Sequence, residues 1–163
     1  MQGNAQTQGW HTAQWGTWGW AETILKLIGL VAGIAAFIRT ISDSGFSIGS
    51  GVHVIALVLL VLMSLASVAQ LAIRFQQRET ISMIFAVVNF LGHVGLLIAV
   101  LHVPAERTLP IIFGVFYLLG QLTKIQFLRV TGYTESGATS AAMARTAAIM
   151  AAIYALFVVF VLI

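Results

Sequence analysis

Histidines are the residues of this chain whose side chains are best suited to binding a metal or a cofactor. The sequence has four of them and no cysteine. Without cysteine there are no disulfides, no thiolate catalysis and no Cys-ligated zinc or iron–sulfur sites. Imidazole nitrogens serve as axial ligands of haem iron and as ligands of transition metals. A haem iron, a chlorin magnesium or a metal ion would therefore bind here through a histidine.

Three of the histidines suggest two cofactor geometries. In an antiparallel hairpin symmetric about residues 77 and 78, His53 and His102 lie at equal depth, far from the hairpin loop. His93 then lies near mid-membrane. Either His53 and His102 bind a metal or haem at the interface, or His93 alone binds haem or (bacterio)chlorophyll, with Gly92 or Gly95 making room for the ring. The ordinary alternative is that each histidine bonds to lipid, a loop or a neighbouring helix.

Other polar side chains recur at helical spacing inside apolar stretches. At about 100° per residue, Ser64 and Ser67 share one stripe, and Asn89 and His93 share another. A third stripe contains Gly114, Tyr117, Gln121 and Lys124. Polar groups inside a membrane are costly and usually face protein or water, so we expect these stripes in the bundle interior. They either join helices by hydrogen bonds or, at Asn89, His93 and Gln121, line a channel or carrier.

The acidic residues give no support for catalysis or for carboxylate-driven transport. All five lie at predicted span ends or in loops: Glu22, Asp43, Glu79, Glu106 and Glu135. We therefore expect no paired carboxylates in the membrane interior. The sequence also lacks the HExxH, GxxxxGK[ST] and GxSxG motifs. The sequence predicts no catalytic residue.

Apolar helices must position all of these side chains. The chain of 163 residues is 60% hydrophobic and 8% charged, whereas about a quarter of a soluble protein is charged. A spanning helix needs about 20 mainly apolar residues. Five segments qualify, at approximately residues 21–41, 52–73, 81–103, 109–128 and 146–163. We predict an all-α integral membrane protein with five transmembrane helices, or four if the first segment, interrupted by Lys26 and Arg39, is re-entrant.

The basic residues predict how these helices are oriented. If all five segments cross, one side carries most of the basic residues, namely Lys26, Arg74, Arg78, Lys124, Arg129 and Arg145, and the other carries Arg39 and Arg107. Basic residues near span ends favour the cytoplasm. We therefore expect a cytoplasmic N-terminus and a C-terminus on the opposite face. Because the basic residues are sparse and dispersed, we expect no nucleic-acid partner.

All four tryptophans lie close together before the first span, at Trp10, Trp15, Trp18 and Trp20. Indoles prefer the headgroup region of a membrane. Nearby glycines argue against a long rigid helix. We expect residues 1–20 to be an interfacial segment of short helix or turns, followed by a helical membrane domain at residues 21–163. This tryptophan collar is either a membrane anchor or a stacking surface for a partner subunit, a lipid or a flat cofactor.

Small residues repeat at four-residue spacing on two of the predicted helices. Gly29 and Gly33 form a GxxxG motif, and Ala144, Ala148 and Ala152 form a second stripe. Such stripes permit close helix contact within a bundle or between subunits. We therefore predict a non-catalytic accessory subunit of a larger membrane complex, with other membrane subunits and lipids as its partners. The alternatives are a haem- or chlorophyll-binding subunit of an electron-transfer or light-harvesting complex, and a small-molecule channel or carrier.

Overall fold

The fold consists of long α-helices joined by short connections. A computed structural model describes residues 16–42, 54–77, 80–102, 107–134 and 138–162. These residues form the helices α1 (Gly16–Ser42), α2 (Val54–Gln77), α3 (Thr80–His102), α4 (Thr108–Thr131) and α5 (Ser140–Leu162). Each of the five is long enough and apolar enough to cross a membrane. The predicted all-helical fold is confirmed, and the length of α1 favours five spans over four.

Two helices begin earlier than the sequence predicts. α1 begins at Gly16, so Trp18 and Trp20 belong to its first turns. In an apolar environment a continuing helix satisfies backbone groups that turns at Gly16 and Gly19 would leave unpaired. Trp10 and Trp15 lie outside the described residues.

The early start of α5 has a local cause. The helix begins at Ser140 and not near residue 146. The hydroxyl oxygen of Thr139 accepts a hydrogen bond from the backbone N–H of Ala142 at 3.2 Å, which is the bond that a helix N-cap makes. The following residues are mostly alanine, the strongest helix former.

The end of α4 requires a glycine. Gly132 follows the helix with a φ of 63° and donates its N–H to the carbonyl of Leu128 at 3.0 Å. This left-handed conformation is cheap for glycine and strained for other residues. The hydroxyl of Ser140 donates to the same carbonyl at 2.9 Å, so the end of α4 is tied to the start of α5.

The five helices pack side by side as a closed ring in the order α1–α4–α5–α2–α3. Residue pairs show the directions. α1 and α4 are antiparallel, because Gly29 lies beside Tyr117 and Gly33, one turn later in α1, lies beside Phe113, one turn earlier in α4. Contacting pairs on the other helices show in the same way that α1, α3 and α5 run in one direction and α2 and α4 in the other. We call the end where α1 begins the N-terminal side.

The two predicted small-residue stripes lie in different places. A Cβ added to Gly33 would lie 2.7 Å from the carbonyl oxygen of Gly92, and one added to Gly29 would lie 2.7 Å from Cδ2 of Tyr117. The GxxxG motif thus packs inside the bundle. On α5, Ala148 and Ala152 are exposed and Ala144 is half-buried. The alanine stripe therefore faces away from the core, while Ala147 and Ala151 are the buried small residues of α5.

Candidate functional site

Four aromatic side chains fill the centre of the helix ring. They are His93 of α3, Phe113 and Tyr117 of α4, and Tyr154 of α5, and none is more than 2% exposed. The His93 ring meets Phe113 and Tyr117 edge-to-face, with each pair of centroids 4.9 Å apart. The rings of Tyr117 and Tyr154 are 5.1 Å apart. We call these four residues the central cluster.

Both ring nitrogens of His93 are hydrogen-bonded within the chain. Nδ1 lies 2.8 Å from the backbone carbonyl oxygen of Asn89. A carbonyl only accepts, so Nδ1 carries a proton and donates. In the neutral ring Nε2 is then the acceptor, and the Tyr154 hydroxyl donates to it at 2.6 Å.

These bonds bear on cofactor binding by His93, because an iron or magnesium ligand must offer a nitrogen lone pair. The Nε2 lone pair meets the hydroxyl of Tyr154. The spaces beside the two neighbouring glycines are also filled, at Gly92 by Leu30 and at Gly95 by Phe37. For His93 to ligate a haem or chlorin, Tyr154 would have to move away from Nε2, and Leu30 and Phe37 would have to move to make space for the cofactor ring.

Hydrogen bonds extend from the central cluster to neighbouring helices. Tyr117 donates its hydroxyl to Oδ1 of Asn89 at 2.5 Å, and Nδ2 of Asn89 donates to Oε1 of Gln70 at 3.2 Å. The hydroxyl of Ser64 donates to the carbonyl of His93 at 3.4 Å. Together with the bond from Tyr154 to His93, these contacts join α2, α3, α4 and α5. We call this set of hydrogen-bonded residues the polar network.

Several residues that the sequence singled out meet in this network. Ser64 bonds to the backbone of His93, and Asn89 and His93 each bond to side chains of other helices. Ser67 is buried beside them and donates its hydroxyl to the carbonyl of Ser64 at 2.7 Å. The sequence reasoning missed Tyr154. Two features of the sequence could have identified it. Tyr154 carries the only polar side-chain group late in an otherwise apolar segment, and it lies one helical turn after Ala151.

The side chains of the other two candidate histidines are not among those that the structure describes. His53 lies outside the described residues, and for His102 only the backbone of α3 is described. Within the described ranges, no three His, Asp or Glu side chains are grouped closely enough to hold a metal ion.

The position of Glu22 differs from the expectation that all acidic residues lie at span ends. Its carboxylate accepts a hydrogen bond from Lys26 Nζ at 2.6 Å in an ion pair, with the two side chains only 17% and 22% exposed. A Cβ added to Gly120 would lie 2.8 Å from Cγ of Lys26 and 3.6 Å from the backbone oxygen of Glu22. The pair thus lies level with the middle of α4. The cause is the early start of α1, which places Glu22 well inside the helix.

Polar residues occupy one half of the bundle interior. From the central cluster towards the N-terminal side, the interior carries the polar residues Glu22, Lys26, Ser67, Asn89, Gln121 and Lys124. In the opposite half, the buried side chains are apolar and include Ala36, Ala56, Leu60, Leu96, Ala99, Phe157 and Val161. Among the described residues, the polar interior side chains therefore lie on the N-terminal side, together with buried apolar residues such as Phe127 and Leu128, and the packing beyond the central cluster is apolar.

Comparisons with models of protein families, with curated proteins and with solved structures find no match for this chain. Its function must be inferred from the polar network, the half-polar interior and the outer surface.

Proposed function

We propose that this protein is a non-catalytic integral membrane subunit that packs against the other proteins of a larger membrane complex. The observation that carries the proposal is the internal pairing of the polar network. His93 has both ring nitrogens bonded, and the amide of Asn89 both accepts from Tyr117 and donates to Gln70. A cofactor or catalytic site needs a lone pair or a proton directed at a ligand, whereas these groups hold helices together.

The outer surface supports association within a membrane. All five helices expose large apolar side chains, such as Val31, Leu65, Ile84, Leu122 and Ile149. Contiguous apolar surface of this kind is characteristic of contact with lipid or with other membrane helices.

The outward alanine stripe of α5 is the part of this surface best suited to a partner helix. Ala148 and Ala152 are exposed and lie one turn apart. Small side chains let two backbones approach closely, and helix association in lipid depends on such packing. Near the start of α1, the exposed indole rings of Trp18 and Trp20 suit the membrane–water interface.

Blue-native electrophoresis of gently solubilised native membranes tests the proposal. We expect the protein in a species larger than itself, with stoichiometric partner subunits identified by mass spectrometry. The double variant Ala148→Leu/Ala152→Leu should release it, because the larger side chains hold a partner helix away. The matched variant Ala66→Leu/Ala69→Leu makes the same change on an exposed face of α2 and should leave the complex intact. Migration of the wild-type protein only as a free small species would refute the proposal.

An absorption spectrum of the same native preparation tests the cofactor alternative. Because both nitrogens of His93 are bonded within the chain, we expect no Soret or chlorin band that depends on His93. A band that disappears on His93→Ala while the complex stays assembled would instead favour a haem- or chlorophyll-binding subunit.

A further inference from the structure

The polar half of the interior has more cationic than anionic side chains. Lys26 and Lys124 are both partly buried, and they are near enough to repel each other electrostatically. The carboxylate of Glu22 pairs with Lys26. Lys124 has no ion-pair partner in the part of the chain that the structure describes. Among the described residues, one partly buried positive charge is therefore left without a counter-charge, and an unpaired charge becomes more costly as it is withdrawn from water.

A buried amide lies beside this charge. The Gln121 side chain is only 9% exposed, and no residue within the described ranges forms a hydrogen bond with it. Buried polar groups almost always have a partner, so an unpaired amide calls for one. Its –NH₂ group offers donors to an oxygen acceptor.

The three side chains converge on the same turns of α4. Gln121 and Lys124 share the stripe of Tyr117, whose ring faces the bundle interior. The stem of Lys26 crosses α4 at Gly120, next to Gln121 in the chain. Gln121 and Lys124 therefore lie on the face of α4 whose earlier residue Tyr117 belongs to the central cluster, and the stem of Lys26 lies beside the same turns.

From this arrangement we infer that Lys26, Lys124 and Gln121 form a binding site for a single oxyanion, a phosphate or carboxylate group entering from the N-terminal side. The anion balances the second lysine and accepts hydrogen bonds from the Gln121 amide. Charge-assisted bonds of this type are short and strong, and basic pockets between membrane helices bind lipid head groups in this way. The anionic group belongs either to a lipid or to a small dissolved molecule.

Binding to the full-length protein in maltoside detergent micelles, which carry no phosphate or carboxylate, distinguishes these two sources. Phosphatidylglycerol or oleate is titrated into the micelles, and bound lipid is counted by native mass spectrometry. In parallel, inorganic phosphate and acetate are titrated while the thermal unfolding midpoint is followed. Saturable binding of one lipid anion per chain identifies a lipid ligand, and a saturable rise in the midpoint with phosphate or acetate identifies a dissolved one. Either result supports the site, and no saturable binding in both series overturns it.

Variants test which residues hold the anion. Lys124→Gln and Gln121→Leu should each weaken binding about tenfold or more, the effect of losing one strong hydrogen bond. Lys124→Arg keeps the positive charge and should retain binding. This variant still tests the role of the charge if Lys124→Gln proves poorly folded. Arg129→Gln removes an exposed cation from the same helix and is the matched control. If Arg129→Gln weakens binding as much as Lys124→Gln, the attraction is a general surface effect and Lys124 only extends to the headgroups.

Discussion

At the scale of single residues, the contact between His93 and Tyr154 is the most specific feature of the interior. Both side chains are almost completely buried, and the hydroxyl is the partner of Nε2. A buried acceptor that loses its donor leaves a desolvated polar atom behind. The hydrogen bond therefore favours the helix arrangement that brings His93 and Tyr154 together, and its contribution to the free energy of unfolding can be measured.

Tyr154→Phe should destabilise the protein by about 0.5–2 kcal/mol, because the ring still packs but Nε2 of His93 loses its donor. The measurement is the free energy of unfolding in mixed detergent micelles. Thr146→Val is the control, since it removes a hydroxyl from an exposed position of the same helix, where the hydroxyl bonds only to the carbonyl of Ala142 within that helix, and it should have a smaller effect. Equal stabilities for Tyr154→Phe and the wild type would show that the bond contributes nothing.

Helical phase predicted part of the site and failed for the rest for a physical reason. Asn89 and His93 lie one turn apart on one helix, so their common face follows from the sequence alone. Their partners Tyr117 and Tyr154 lie on other helices, and which helices become neighbours depends on packing that no single segment encodes. The sequence offered bonding of His93 to a neighbouring helix as one alternative, but it did not identify Tyr154 as the partner.

At the scale of secondary-structure elements, the close approach of α1 and α3 depends on the absence of side chains. Gly33 faces the backbone of Gly92, and a backbone cannot rotate away as a side chain can. Two glycines on facing helices thus set the distance between these helices. The motif was recognisable in the sequence, although its partner helix was not.

Gly33→Ala should destabilise the bundle by about 1–3 kcal/mol, because the added methyl group collides with the carbonyl of Gly92 and forces the two helices apart. The higher helix propensity of alanine offsets at most about 1 kcal/mol of this loss. Thermal unfolding followed by circular dichroism measures the change. Ala148→Val enlarges an exposed small residue instead and should leave the midpoint nearly unchanged. A Gly33→Ala protein as stable as the wild type would contradict the close approach of the helices.

The limits of the helices were harder to predict than their existence. Windows of high hydropathy locate five segments because crossing a bilayer requires length and apolarity together. Trp18, Gly19 and Glu22 lower the hydropathy of the first segment, yet all three lie in α1. The continuation of α1 through Gly19 into this polar stretch therefore changes Glu22 from a predicted boundary residue into an interior one.

At the scale of the whole molecule, the alternating helix directions define two faces. The start of α1 and the connection from α4 to α5 lie at the N-terminal side, and Arg107 lies at the opposite side. From the positive-inside rule we expect the N-terminal side to face the cytoplasm. If all five helices cross, the bilayer separates the two faces.

Single cysteines test this topology well, because the natural chain has none. Thr17→Cys and Thr134→Cys should react with a membrane-impermeant maleimide only after the cytoplasmic face is opened, and Arg107→Cys should react in intact cells. The reason is that Thr17 and Thr134 lie at one end of the bundle and Arg107 at the other. Background labelling of the cysteine-free protein is the control. Reaction of Thr17→Cys and Arg107→Cys from the same face would show that α1 does not cross.

The ring order has a consequence for biosynthesis. α5 is the helix that joins α4 to α2 and closes the ring, and its Tyr154 is made 61 residues after His93. When α3 emerges from the ribosome, Nε2 of its imidazole therefore still lacks the tyrosine partner that it has in the complete bundle. We expect the core to close only after α5 has been made, and a nascent chain truncated before α5 to be recognised by membrane quality control.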